Sequence, residues 1–546
     1  MSAMRIGDAR LTLEDVAAVA RGSADVVLTD EAVQRMEPSR AWVDSLTQAM
    51  RRGEQVDAVY SVNTGFGSLA GKQAFADVED AEELSRRLIV SNACGTGAEL
   101  SKEVVRAAML IRAGSLTQGF SGVRAELPKL IVEMLRRDMI PVIPEYGSLG
   151  ASGDLIQLAH LTLTMTRPRG EDVESDSGEV WFDGERMSGL AAMNAAGLER
   201  AVLGPKEGLA MTNGTSFSCA HAALALHEAF TVFEAAQITA AVSIEAMMGF
   251  GDAFLPQIHE ARGHRGQIHV AARLRELLAD SEIIDGNETT NPRRNPPQDA
   301  YSLRCTPQVL GPVAEVLDFV RGLVETEINA VTDNPLIVAD LPRSLKAVSG
   351  GNFHAEYMAF ASDILAIAVT EIGNIAERRI FRLTDGTLNR GLPDYLIDSE
   401  KVGLDCGYML PQYLAAALVS DCKTLAHPDS VDSIPSSANQ EDHVSMANNA
   451  GRHAGAVVRN IRDVIAVELL MATQALELRL RAGTFERSKV SSTSLAVLDL
   501  VRSTPMSKGE TIPFLTKDIV LGPLVLAAAD LVSSGAVAEA VAGAGR

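Results

Sequence analysis

SFSCAHAALALHEAFTVFEAAQITAAVSIEAMMG, residues 216–249, carries a helical pattern that is apolar on more than one face. It is longer than helices of globular domains usually run. Three further stretches read the same way, at 306–332, 354–384 and 445–482. Such helices belong in the core of a bundle, one shared between subunits. Heptads are not sustained along them. Before residue 206 the texture is mixed: helical patterns at 78–94 and 101–117 alternate with glycine-rich turns such as NTGFGSLAG at 63–71. The polar stretch 167–188 contains Asp183-Gly184 and reads as a surface excursion with a short hairpin. The expected organisation is a loop-rich N-terminal domain over 1–205, a central long-helix bundle over 206–482 and a C-terminal helical segment over 483–546.

Composition agrees with a mainly α fold. Hydrophobic residues make up 47% of the 546 residues and aromatic residues only 4%, a balance that favours helix on helix over an all-β fold. The formal net charge is −22, which argues against a nucleic-acid partner because phosphate binding needs a basic footprint. An anionic small molecule would then need a local arginine. Five scattered cysteines, none in CxxC spacing, indicate neither a zinc site nor a disulfide framework. The start MSAMRIGDARLTLEDV lacks a basic and apolar leader, and no run of about 18 apolar residues is uninterrupted, so a cytoplasmic protein is expected.

Two polar loops interrupt the apolar helices, SEIIDGNETTNPRRNPPQ at 281–298 and AHPDSVDSIPSSANQEDH at 426–443, and both are candidate walls of an active site. A third unusual stretch is GSLGASG at 147–153, followed by Asp154. It lacks the Lys-Ser or Lys-Thr of a phosphate-binding P-loop. Ser152 is not in Gly-x-Ser-x-Gly, which removes the nucleophile elbow. The glycine spacing is not that of a dinucleotide fingerprint. Two readings stay open: a tight turn before a helix at 154–166, or a backbone that is itself the reagent. In the second, the Gly153 nitrogen attacks the Ala151 carbonyl carbon, which only a residue without Cβ allows. Loss of one water from the ring and one from Ser152 leaves a conjugated methylidene, an electrophile that no side chain provides.

At Ala151-Ser152-Gly153 the sequence resembles the aromatic amino acid ammonia-lyase and 2,3-aminomutase superfamily, whose members form a 4-methylidene-imidazol-5-one (MIO) group from these three residues. YSVNTGFG (60–67), KEGLAMTNGTS (206–216), QDAYSLRCTPQVLG (298–311), TDNPL (332–336), GGNFHAE (350–356) and SIPSSANQEDHVSM (433–446) resemble the family's blocks in the family's order. The resemblance implies a fumarase/aspartase-like superfold and a homotetramer whose active sites are shared between chains. It implies an MIO cofactor formed autocatalytically, with no metal. By the same resemblance Tyr60 is the catalytic base, Tyr301 stands beside the electrophile, and Arg304 clamps the substrate carboxylate. Asn213 and Gln298 match polar residues near the MIO oxygen or that carboxylate, and Phe353 matches the phenylalanine near the ring.

SANQEDHVSM closely resembles histidine ammonia-lyase, where the glutamate faces the imidazole, so Gln440 and Glu441 point to a polar ring. Burying that carboxylate against a bare phenyl would be costly. One departure stands at Ser91-Asn92, the selectivity pair, where histidine ammonia-lyases show Ser-His. Asn92 donates and accepts a hydrogen bond but does not titrate near neutrality. The expected activity is elimination of ammonia from a histidine- or tyrosine-like L-α-amino acid to the arylacrylate. The alternatives are 2,3-aminomutation to a β-amino acid and an inactive scaffold of the same fold. The histidines of IHEARGHRGQIH (258–269) are spaced by five, which does not place ligands on one helical face, so no metal is expected there.

Overall fold

A computed structural model describes residues 4–71, 75, 77–284, 297–401, 403–506 and 509–544. Helices dominate, and the strands form only small sheets of two or three. The chain divides into two compact units, each drawn from separate segments. The first comprises Met1–His227, Arg321–Asp363 and Pro428–Arg452, and the second Glu228–Val320, Ile364–His427 and His453–Arg546. The division of the sequence at 205 and 482 stays a proposal about texture along the chain, whereas these units are defined in space.

In the first unit, helix α1 (Val78–Asn92) starts where the Asp77 carboxylate accepts the Glu79 N–H at 2.9 Å. Helix α2 (Lys102–Leu116) starts at Ser101, whose hydroxyl accepts the Val104 N–H at 3.3 Å. Such caps satisfy amides that the first turn leaves without partners, about 1 kcal/mol each. From Val105 to Leu116 every residue of α2 is buried, and Ala, Met, Leu and Ile fill most of those positions. Helix α3 (Leu155–Met165) follows GSLGASG, and helix α4 (Glu207–Thr212) lies in the KEGLAMTNG block. The expected hairpin is present: Glu179–Phe182 pairs antiparallel with Glu185–Ser188. Asp183 and Gly184 both take positive φ (50° and 80°), as a two-residue hairpin turn requires.

The long apolar patterns form helices close to their expected limits. They are α5 (Ser216–Ala246), α6 (Thr306–Ile328), α7 (Glu356–Thr384) and α8 (Ala447–Arg481). In α5 every residue from Ala235 to Ala246 is buried, so all its faces are covered there. Two of its polar side chains in that stretch are partnered, since Ser243 donates to Glu468 at 2.7 Å and Glu245 accepts from the Ser491 hydroxyl at 2.8 Å, while Gln237 Oε1 and Thr239 Oγ1 are buried without a hydrogen-bond partner among the described residues. Glu468 is held in turn by Arg379 at 2.9 Å, both side chains fully buried. Pairing matters here because a buried charge without a partner costs several kcal/mol. The helix ends where Met248 turns to φ 50° and the Gly249 N–H reaches back to the Ile244 carbonyl at 2.8 Å. Helix α7 is long and apolar enough to cross a membrane by length and composition, but 72% of its most apolar stretch is buried inside the protein. Residues 285–296 of the loop expected at 281–298 lie outside the described residues.

Candidate active site

The GSLGASG stretch lies in the first unit, pinned from two sides. On one side Gly153 forms a parallel bridge with Gly214. The Gly214 N–H donates to the Ser152 carbonyl at 3.1 Å, and the Asp154 N–H donates to the Gly214 carbonyl at 2.7 Å. Gly153 takes φ +76°, and a Cβ built there would collide with the Gly214 carbonyl. Only glycine fits this approach. Asn213, next to the bridge, is buried, and its Oδ1 has no hydrogen-bond partner among the described residues.

On the other side the SIPSSANQEDHVSM segment follows the stretch almost residue by residue. The Met446 N–H donates to the Leu149 carbonyl at 2.8 Å, and the Ser445 hydroxyl to the Gly150 carbonyl at 3.4 Å. Ala151 packs with Val444 and Met446 in one buried apolar cluster. The Ser152 hydroxyl then donates to Glu441 Oε1 at 3.1 Å. The other carboxylate oxygen, Oε2, accepts the Ser436 hydroxyl at 3.0 Å. Gln440 is exposed at the same turn, its N–H bonded to the Ser437 carbonyl.

Tyr60 joins this group through the neighbouring NTGFG loop. Its phenol oxygen accepts the Gly67 N–H at 3.0 Å, and Phe66 meets its ring edge-on at 6.2 Å. The loop is fastened to the same segment, since the Ser68 N–H donates to the Ser437 hydroxyl at 3.3 Å. Burial pushes the Tyr60 phenol above its usual range and the Glu441 charge adds to this, while the Gly67 N–H works the other way. Behind Tyr60, Ser61 takes φ 65° and its carbonyl accepts the N–H of Lys206, itself at φ 74°. The Lys206 ammonium is fully buried against Asp333 at 2.6 Å, and burial lowers its pKa.

Asp154 was legible only as the residue after the glycines. Its buried carboxylate accepts the Ser218 N–H at 2.8 Å and hydroxyl at 2.6 Å, which ties the start of α3 to the start of α5. Burial raises its pKa to about 6, opposed by these donors. No motif in the sequence marks it for that role.

Ser91 and Asn92, the pair expected to set selectivity, close helix α1. The Ser91 hydroxyl donates to the Leu88 carbonyl at 3.1 Å, and Asn92 is half-buried beside it. Two residues beyond Cys94's neighbour Ala93, the Gly95 N–H donates to His160 Nε2 on α3 at 3.1 Å. His160 therefore stays neutral there, and burial lowers its pKa accordingly. Phe353 is half-buried, two residues before Ala355, whose N–H meets the Gly150 carbonyl at 3.5 Å.

Tyr301, Arg304 and Gln298 belong to the second unit. A short helix, Tyr301–Arg304, brings the two side chains together, with the guanidinium 4.6 Å above the Tyr301 ring. Arg304 Nε donates to the Asp299 carbonyl at 2.8 Å, and the Asp299 carboxylate is ion-paired with Arg390. Gln298 is exposed. In the same unit His259 is a structural residue: Nδ1 accepts the Gln267 amide at 2.9 Å, and Nε2 contacts the Ala253 carbonyl at 3.0 Å. A cavity of about 540 Å³ in the first unit, lined by residues including Arg21, Lys102 and Arg136, contains none of the candidate residues.

The first unit thus brings together the Ala-Ser-Gly turn, a carboxylate on its serine and a tyrosine on the adjoining loop. Residues 11–503 match the family model described as aromatic amino acid lyase, and the chain belongs to that family. It is a carbon–nitrogen lyase of the ammonia-lyase group. The histidine ammonia-lyase of Treponema denticola is 45% identical over 469 residues, 86% of this chain and 87% of that protein. Among solved structures, histidine ammonia-lyase from Trypanosoma cruzi is 36% identical with TM-score 0.85, covering 100% of this chain and 96% of the other. Tyrosine aminomutase from Streptomyces globisporus is 31% identical with TM-score 0.86, covering 99% of both.

Proposed function

We propose that this protein eliminates ammonia from a histidine- or tyrosine-like L-α-amino acid, giving the arylacrylate, with an MIO group formed from Ala151, Ser152 and Gly153. The observation that carries the proposal is the Ser152 hydroxyl held at 3.1 Å by Glu441, inside a turn that only glycine can complete. The chain fits the group in two further respects. The backbone around Gly153 is fixed by the Gly214 bridge, and the residue before Gly214, Asn213, has a buried oxygen without a partner among the described residues. When formed, the MIO group supplies an electrophile that captures the substrate and turns its amine into a better leaving group.

The chain's own residues do the rest. Tyr60 removes the β-proton at its phenol oxygen, on a loop whose Gly67 donates to that oxygen. Arg304 holds the substrate carboxylate with a planar fork of donors. Dehydration of Ser152 removes the donor on Glu441 Oε1, while Ser436 keeps its hold on Oε2. Oε1 is then left as a free acceptor, which suits a substrate ring bearing N–H or O–H and disfavours phenylalanine.

Tyr301, Arg304 and Gln298 reach this site from another copy of the chain, in a homotetramer. Supporting that, Tyr301 is 70% exposed, and α7 and a following helix, Met409–Leu425, present exposed Tyr357, Phe360, Leu410 and Tyr413. The likeness to tyrosine aminomutase favours one second reading, 2,3-aminomutation, in which the released ammonia re-adds at the β-carbon. An inactive scaffold is disfavoured because Ser152, Tyr60 and Arg304 are all present.

The test is incubation with a panel of aromatic amino acids, following arylacrylate by absorbance and β-amino acid by mass. Arylacrylate from a polar-ring substrate supports elimination, β-amino acid supports aminomutation, and neither product from any substrate contradicts both. In the same assay the ratio of efficiencies for histidine, tyrosine and phenylalanine should shift in Asn92→His and Glu441→Gln. Asn92 contributes about 0.5–1.5 kcal/mol through a neutral hydrogen bond. Phenylalanine as the best wild-type substrate, or ratios unchanged within about twofold in both variants, a difference of only about 0.4 kcal/mol, would remove these residues from ring recognition. Arg304→Lys keeps the charge but loses the fork, and should cost about 1.5–3 kcal/mol in catalytic efficiency. An unchanged kcat/KM would assign the carboxylate to another residue.

A further inference from the structure

The blocks GGNFHAE and SANQEDHVSM each carry a histidine that the catalytic reading leaves unused. Far apart in sequence, His354 and His443 meet in the first unit with ring centroids 5.6 Å apart and planes inclined by 30°. His354 Nε2 lies 3.2 Å from the His443 carbonyl oxygen, and His354 Nδ1 lies 3.7 Å from Glu356 Oε2. One ligand atom from each of His354, Glu356 and His443 lies within 4.8 Å of the other two.

A bland account covers part of this. Glu356 is the first residue of α7, where a carboxylate is favoured by the helix dipole without any ligand. That account does not explain why Glu356 Oε2 is buried with no hydrogen-bond partner, facing an imidazole too distant to donate. Two histidines and one carboxylate are a donor set for zinc and neighbouring divalent metals, with water in the fourth position. Ligand atoms on a tetrahedral zinc lie about 3.4 Å apart, so a span of 4.8 Å closes with small side-chain rotations.

We propose that His354, Glu356 and His443 bind one divalent transition-metal ion, zinc or a close relative. Its place in the fold gives it a mechanical consequence. The His354–Glu356 segment meets the Gly150 carbonyl through the Ala355 N–H, and the His443 segment meets the same carbonyl through the Ser445 hydroxyl. The ion clamps the two segments that flank the GSLGASG stretch and that carry Phe353 and Glu441. It takes no part in the chemistry proposed above, and its binding is independent of which substrate is turned over.

The experiment uses untagged, chelator-treated full-length protein, titrated with Zn²⁺ by calorimetry and with Co²⁺ by visible absorption. Wild type should bind about one ion per chain and gain thermal stability with Zn²⁺. His354→Ala, His443→Ala and Glu356→Gln should each weaken binding by about tenfold or more and remove that gain. His269→Ala, an exposed histidine of the second unit, should bind like wild type. Circular dichroism of the metal-free variants separates lost binding from lost folding, and His443 is exposed enough for its replacement to be tolerated. No saturable binding, or binding that survives both histidine substitutions in folded protein, would overturn the proposal.

Discussion

Ser152→Ala should leave a folded chain that no longer releases ammonia from any aromatic amino acid, a loss on the order of 10³-fold or more. The alanine keeps the Cβ, so the turn, the Gly214 bridge and the packing of Ala151 on Val444 and Met446 are preserved. What disappears is the hydroxyl that donates to Glu441, and with it the water that must leave from residue 152. Cyclisation without that second loss gives no methylidene, hence no electrophile. Thermal unfolding should move little, because one exchanged hydrogen bond is worth about 1 kcal/mol. Activity retained within about tenfold, a change in barrier of only about 1.4 kcal/mol, would show that Ser152 is not the source of the electrophile.

Tyr60→Phe should lower kcat/KM by about 10²–10⁴-fold, the usual contribution of a positioned base. The phenyl ring keeps the edge contact with Phe66 and loses only the oxygen on Gly67. The pH dependence gives a second reading of the same residue. As base, Tyr60 acts as phenolate, so kcat/KM rises with pH through its pKa. Burial and the Glu441 charge both hold that pKa up within this chain. Glu441→Gln removes one of the two causes, so the rising limb should move to lower pH. A limb that stays in place, or moves to higher pH, would separate Tyr60 from the proton transfer. In the proposed tetramer the guanidinium of Arg304 from another copy would supply positive charge that favours the phenolate.

Much of this was legible in the sequence because it is local. The all-round apolar pattern of 216–249 gave a helix buried on all faces from Ala235 to Ala246, with Ser243 and Glu245 partnered there by Glu468 and Ser491. Asp183-Gly184 announced its hairpin because few residues take two positive φ values in succession. The contact of Tyr301 with Arg304 is local in the same way, across three residues of one short helix. The register of 441–446 on 149–152 was not legible, since no local rule ties a serine to a carboxylate 289 positions away. Asp154 and His160 escaped notice likewise: each acts through a partner on a different element, Ser218 in one case and Gly95 in the other. His354 and His443 read as unrelated histidines until the fold stacked them. Residue types announce chemistry, but only tertiary pairing tells which of them share a site.

In the proposed reaction the backbone of residues 151–153 becomes the reagent, and mass reports on it without reference to substrate. Intact, active wild-type protein should weigh two waters less than its sequence, with the deficit confined to the peptide that contains Ala151-Ser152-Gly153. An active preparation whose mass equals that of the unmodified chain would contradict the account.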